Sequence, residues 1–374
     1  ATREPPSTPM DTLPLALPTL AWLAFALGGV FGVAAQRSNF CTMGAITDVL
    51  IMGDWTRLRM WALAAAVSIA GTAWLQIAGL IDVHDSIYTG IRLPWLSHIV
   101  GGLLFGIGMT LASGCGAKTL VRLGSGNLKS LVVFVFLGLS AYMTLRGLLG
   151  AWRTAWLDPV ALYLDTHQDI PSLIAARYQL DRHSAGLACA TVGAGSLALF
   201  GLSGRDIRRP APLLGSLTIG ACIVAGWYLS GHLGHLAEDP DTLAPAFLAT
   251  NSGRMESLSF VAPFAYSLDL LMLWTDKSRI VTVGIAATCG VIVGALLAAL
   301  ASRSFRIESF RDAPDLIRHL VGAILMGFGG VTALGCTIGQ GLSGLSTLSV
   351  GAILTVGAII AGATVSIKIQ LRNS

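Results

Sequence analysis

Charge along this chain is crowded into short intervals, and the stretches between them stay apolar over lengths that matter to a bilayer. A transmembrane helix needs about 20 predominantly apolar residues. Residues 12–36 carry no charge and supply the first such stretch, followed by 60–81, 99–112, 130–145, 184–204, 211–230 and 280–302. The fourth is short and reaches bilayer length only if Lys129 and Arg146 extend at its ends. No charged residue occurs from Leu320 to Ile367, so two more spans are expected there, on either side of a glycine-rich break at 335–344. Shorter pieces at 45–52, 118–129 and 259–274 interrupt the pattern in the same way.

The expected fold is therefore an all-α integral membrane protein with nine spans and four short re-entrant helices. It divides into a polar tail (1–15), a first membrane repeat (16–149), a polar loop (150–183), a linking span (184–204) and a second repeat (205–370). One linking span between two four-span halves turns the second half upside down, which makes the repeat an inverted one.

Two of the breaks are near copies. His98-Ile-Val-Gly-Gly-Leu-Leu-Phe-Gly-Ile-Gly leads to Ser113-Gly-Cys-Gly-Ala-Lys118, and His319-Leu-Val-Gly-Ala-Ile-Leu-Met-Gly-Phe-Gly leads to Leu334-Gly-Cys-Thr-Ile-Gly-Gln340. An offset of 221 residues superimposes Gly101 on Gly322, Gly108 on Gly329, Gly114 on Gly335 and Cys115 on Cys336. Asp48 and Asp269 share that offset, whereas Cys41 falls opposite Ala262 and has no partner.

Composition narrows the class. The chain is 54% hydrophobic and only 12% charged, against about 25% charged in ordinary soluble proteins, and its mean hydropathy is +0.71. Its 44 glycines suit close helix approach and broken helices. A net charge of +4 without a basic stripe gives no case for nucleic acid. The six cysteines include no C-x-x-C spacing and no Walker A pattern occurs, so no metal ion, cofactor or ATP hydrolysis is expected. Basic residues near span ends (Arg57, Arg122, Arg205, Arg208, Arg306, Arg311, Arg372) fall on one side of a nine-span count, which places the C-terminus inside and the N-terminus outside.

Broken helices persist at membrane depth only where protein or a wet cavity satisfies the freed backbone, and their N-termini offer N–H groups to anions. Gly114, Gly116, Gly335, Gly339 and Thr337 present such backbone, while Lys118 and Gln340 add donors, so a small anion is the natural guest. A thiol is a weak, polarizable donor suited to a soft acceptor such as sulfur. Cys41, Cys115 and Cys336 accordingly read as contacts for an anion with a sulfur end, drawn to the outer concavity by Lys118. Cys189, Cys222 and Cys289, in mid-span among small apolar residues, read as packing. Asp48 and Asp269 fit either proton coupling or helix capping, and His98 and His319 read as interfacial hydrogen-bonders.

Arg37-Ser-Asn-Phe-Cys41, Ser113-Gly-Cys-Gly-Ala-Lys-Thr-Leu-Val-Arg-Leu-Gly-Ser-Gly-Asn-Leu-Lys129 and Leu334-Gly-Cys336 together resemble the YeeE/YedE family of membrane proteins. The resemblance covers the chain beyond about residue 15. It implies an hourglass of nine transmembrane and four short helices in the inner membrane, thiosulfate uptake from the periplasmic side without enzymatic chemistry, and a path along Cys41, Cys115 and Cys336. It also implies a separate TusA-like sulfurtransferase as cytoplasmic partner. The alternatives are a membrane sulfurtransferase that passes sulfane sulfur through a cysteine persulfide, and a transporter of a selenium or other sulfur compound.

Overall fold

The computed structural model describes residues 17–238 and 245–372. The polar tail 1–15, and the start of the first span before residue 17, lie outside them. Fourteen α-helices are described: α1 (Leu17–Ser38), α2 (Thr42–Thr47), α3 (Thr56–Ile77), α4 (Trp95–Leu111), α5 (Gly116–Gly124), α6 (Leu128–Arg146), α7 (Leu148–Trp156), α8 (Ile170–Tyr178), α9 (Arg182–Leu202), α10 (Pro210–Tyr228), α11 (Ala262–Met272), α12 (Val283–Ala301), α13 (Ala313–Thr332) and α14 (Val350–Arg372). Nine helical segments among the described residues are long and apolar enough to cross a membrane; they contain α1, α3, α4, α6, α9, α10, α12, α13 and α14. The short helices α2, α5 and α11 fall where the charge pattern places interruptions, and a π-helical turn (Gly339–Gly344) fills the fourth break. The loop expected at 150–183 carries α7 and α8. Sheet is reduced to two-residue ribbons, Arg92–Leu93 with Leu162–Tyr163 and His235–Leu236 with Ala246–Phe247.

Glycine sets how closely these helices approach. A methyl on Gly101 of α4 would stand 2.6 Å from the Ala333 nitrogen and 2.7 Å from the Gly329 oxygen; one on Gly322 of α13 would stand 2.6 Å from both the Ala112 nitrogen and the Gly108 oxygen. Shifted by 221 residues, each contact becomes the other. Gly101 lies opposite the end of α13 and Gly108 opposite its middle, so α4 and α13 run antiparallel. Without a hydrophobic drive between helices in lipid, such backbone-to-backbone packing holds a membrane bundle together. Phe31, Phe105, Met109, Trp227, Phe260 and Phe264 fill the interior beside this crossing.

Two intramembrane acids close the short helices. Asp48, in the π-helical turn that extends α2, pairs with Arg57 at 3.2 Å, and Asp269 of α11 pairs with Arg279 at 3.1 Å. Neither carboxylate caps a helix N-terminus, as the capping reading expected; each pins its short helix to an arginine in the chain that follows.

Candidate substrate pathway

The three breaks that carry Cys41, Cys115 and Cys336 share one local geometry. Two residues before each cysteine the backbone turns left-handed, at Asn39 (φ 52°), Ser113 (φ 57°) and Leu334 (φ 58°). The next N–H reaches back five residues to a helix carbonyl: Phe40 to Ala35 at 3.2 Å, Gly114 to Met109 at 2.8 Å and Gly335 to Gly330 at 2.7 Å. This is the Schellman way of ending a helix, and at Leu334 it is adopted by a residue that finds the left-handed region costly. The thiol then faces the start of the following helical piece. The Gly44 N–H donates to Cys41 Sγ at 3.3 Å and the Gly339 N–H to Cys336 Sγ at 3.4 Å. The Lys118 N–H faces Cys115 in the same i+3 register.

The thiols belong to one cluster. Cys115 is close enough to both Cys41 and Cys336 to interact with each electrostatically, and Thr337 lies beside its thiol. Cys115 and Cys336 are buried and Cys41 half-buried. The gap between Cys41 and Cys115, walled by Phe31, Phe40, Val121 and Ile338, has a volume of about 10 Å³, no more than one water requires. No polyatomic anion fits there without side-chain or helix movement.

A larger cavity opens beyond each of two breaks. At the end of α4 a cavity of about 610 Å³ is lined by Lys118, Arg122, Lys129, Arg306 and Arg311, with Glu308 and Asp315. Lys129 is held by Asp315 at 2.7 Å, and Arg122 donates to the Ser113 carbonyl at 2.6 Å. Lys118 lines both this cavity and the thiol gap, and its ammonium forms no ion pair or hydrogen bond among the described residues. At the end of α13 a cavity of about 250 Å³ is lined by Arg153, Glu256, Ser259, Tyr266, Leu334 and Gly335. Because α4 and α13 are antiparallel, the two cavities open toward opposite ends of the bundle, with the thiols between them.

Lys118 therefore shares its cavity with Arg122, Arg306 and Arg311, which were not foreseen as its neighbours. Gln340 also differs from expectation: its Nε2 donates to the Ala333 carbonyl at 2.6 Å, tying the break to α13, and only Oε1 is left without a partner. Gly116 and Gly339 serve close approach, since a methyl would meet the Phe260 carbonyl at 2.9 Å in one case and the Ser259 Oγ at 2.5 Å in the other. Gly114 packs under the Lys118 side chain, and Gly335 against Gln340. Arg37 of the first motif points to the exterior. His98 Nδ1 pairs with Thr355 Oγ1 at 2.7 Å, and His319 Nδ1 with the Asp315 carbonyl at 2.7 Å. Cys289 is exposed on the side of the bundle, Cys222 is buried in the core and Cys189 is half-buried on α9.

Sequence reasoning misses a set of polar atoms around the thiols. Among the described residues, Thr42 Oγ1, Trp61 Nε1 and Tyr88 OH are buried without hydrogen-bond partners, and Thr337 Oγ1 has only the Cys115 thiol beside it. Buried polar groups left unpaired cost about 1–3 kcal/mol each; Thr42, Trp61 and Thr337 line one small gap, and the Tyr88 hydroxyl stands beside Gly339. Trp61 is the second residue of the span expected at 60–81, where a tryptophan reads as an interfacial anchor and not as a ligand. Tyr88 lies in a loop with no pattern to reveal it.

The chain resembles characterised transport proteins along nearly all of its length. It is 27% identical over 331 residues to a thiosulfate transporter, TsuA, of Escherichia coli (strain K12), covering 84% of both chains. It is 25% identical over 339 residues to the thiosulfate transporter TsuA of Spirochaeta thermophila, covering 88% of this chain and 93% of the relative. A family model described as sulphur transport matches residues 37–365, from the arginine before Cys41 to the middle of α14, and the chain belongs to that family.

Proposed function

We propose that this chain transports thiosulfate into the cytoplasm by passing the ion between the two cavities, along Cys336, Cys115 and Cys41. The observation that carries the reading is the convergence of three thiols from helical breaks at a narrow gap, with the ammonium of Lys118, unpaired among the described residues, lining both that gap and the larger cavity. Each thiol offers the terminal sulfur of the ion a weak, soft contact, and the short helices behind them contribute N–H groups and the positive ends of their dipoles. Several weak sites in series suit conduction better than one strong site, which would hold the ion. The relatives' printed substrate supports thiosulfate as the cargo.

The reciprocal contacts of Gly101 and Gly322, and the matched Asp48–Arg57 and Asp269–Arg279 pairs, support an inverted repeat in which α2, α5, α11 and the 339–344 turn are re-entrant. Clustering of Arg122, Lys129, Arg306 and Arg311 around one cavity supports an inner-membrane protein with the C-terminus cytoplasmic and the N-terminus outside. The ion then leaves over Lys118 into a basic vestibule, which is also where a separate TusA-like sulfurtransferase would receive it.

Cys115 is a buried thiol that lines one gap with Lys118, which keeps a second reading in view. In that reading a thiolate attacks the sulfane sulfur, a persulfide forms, and sulfite leaves with the electron pair of the broken S–S bond. Thiosulfate labelled differently on its two sulfur atoms separates the two. Transport delivers both labels to the interior in equal amounts; sulfite accumulating outside while only the sulfane label enters would overturn the transport reading.

A further inference from the structure

Among the described residues, the cavity on the Cys336 side holds one carboxylate, Glu256, with no cation paired to it. Arg153, the other charged group in its lining, is engaged by Asp158 Oδ2 at 3.3 Å and donates to the Val331 carbonyl at 3.5 Å. Glu256 accepts only from neutral groups at long range, the Asn251 N–H and the Ser252 hydroxyl, both at 3.3 Å. The chain around it faces inward with Leu258, Ser259 and Tyr266, and a floor of Leu334 and Gly335 leads directly to Cys336. Tyr88, whose buried hydroxyl has no partner, is near enough to interact electrostatically with both Glu256 and Cys336, which places it between cavity and thiol. The remaining titratable groups around this wall, among the described residues, are Tyr266 of α11, with Arg146 and Asp269 within electrostatic reach of it, Arg254 in the same loop, and Asp85, whose carbonyl accepts the Met255 N–H.

Resting on the thiosulfate reading above, we propose that Glu256 is a proton-binding site linked to the substrate, so that the Cys336-side cavity takes up an anion and a proton together. A dianion and a carboxylate in the same cavity of about 250 Å³ repel each other with little solvent between them. Protonation removes that repulsion and turns the carboxyl into a hydrogen-bond donor, so one proton converts an opposing group into a favourable one. Burial in this wall pushes the Glu256 carboxyl up to about 7. By linkage, a proton that strengthens anion binding is itself bound more strongly when the anion is present. Thiosulfate stays fully ionised across this range and contributes no proton of its own.

Calorimetric titration of the purified full chain with thiosulfate, in pairs of buffers with different ionisation enthalpies, counts protons taken up on binding. The wild type should take up close to one proton per ion above pH 7, with affinity falling about tenfold per pH unit there and levelling below about pH 6. Glu256→Gln should bind without proton uptake and without that slope, and Glu256→Asp should retain both. Proton uptake near zero in the wild type at pH 7.5, or the same slope in Glu256→Gln, overturns the proposal while leaving thiosulfate binding intact. Absence of thiosulfate binding at every pH overturns the substrate reading on which it stands.

Discussion

At the scale of residues, the three cysteines are distinguished by where the backbone puts them and not by being thiols. Each stands where a helical break passes into a short helical piece, while Cys189 and Cys289 sit on regular helical turns. If each S–H contact to the passing ion is worth about 1.4 kcal/mol, replacing Cys41 or Cys336 by Ala should slow thiosulfate uptake about tenfold; Cys189→Ala and Cys289→Ala should leave the rate unchanged. Uptake rates of the four variants, normalised to protein in the membrane, decide it. A second residue stands apart from the pathway. His84 lies between Asp82 at 3.0 Å and Asp169 at 3.4 Å, and these carboxylates raise its imidazole to about 9. A histidine raised on folding contributes stability that is complete below its unfolded value of about 6.5 and is lost as pH climbs through the folded value. The melting temperature of the wild type should therefore decline between about pH 6.5 and 9, and His84→Asn should lower it at pH 6 and flatten that decline.

At the scale of elements, the spans were legible because lipid demands uncharged runs of fixed length, and the breaks because glycine and polar residues interrupt them. Asp48 and Asp269 were visible as a pair, but their partners were not. Arg57 and Arg279 follow them by nine and ten residues, a spacing with no helical periodicity, and the loops that return them are set by tertiary packing. Lys118 was legible as a cation three residues after a Gly-Cys break, but its neighbours Arg306 and Arg311 were not, because they come from the chain before α13 and meet it only through tertiary packing. Glu256 and Tyr88 lie in loops where no pattern of apolar positions applies. The pins have a measurable value. Arg279→Met leaves Asp269 buried and unpaired and should cost about 2–3 kcal/mol after allowance for the partial exposure of the arginine. Asp269→Asn in the same chain should restore part of that loss. Arg57→Met should cost less, since Arg57 is 38% exposed against 28% for Arg279. Thermal unfolding in detergent measures all three, and equal stability of Arg279→Met and wild type would contradict the pin.

At the scale of the whole molecule, α4 and α13 cross as near equivalents, and the cavities and thiols are arranged around that crossing. If the halves are interchangeable in packing, Gly101→Val and Gly322→Val should lower the melting temperature by similar amounts, because each added side chain meets backbone of the opposite helix at the same distance. A large effect at one position and none at the other would argue against the repeat. The gap of about 10 Å³ beside Cys41 and Cys115 shares Lys118 with the cavity of about 610 Å³, while the cavity of about 250 Å³ lies beside Gly335, next to Cys336. The most direct test of thiosulfate passage is uptake of the labelled ion by proteoliposomes containing this chain alone. Accumulation of both sulfur labels above that of protein-free liposomes, lost in Cys115→Ala, is the expected result; uptake no greater than the protein-free background, or undiminished in Cys115→Ala, would contradict it.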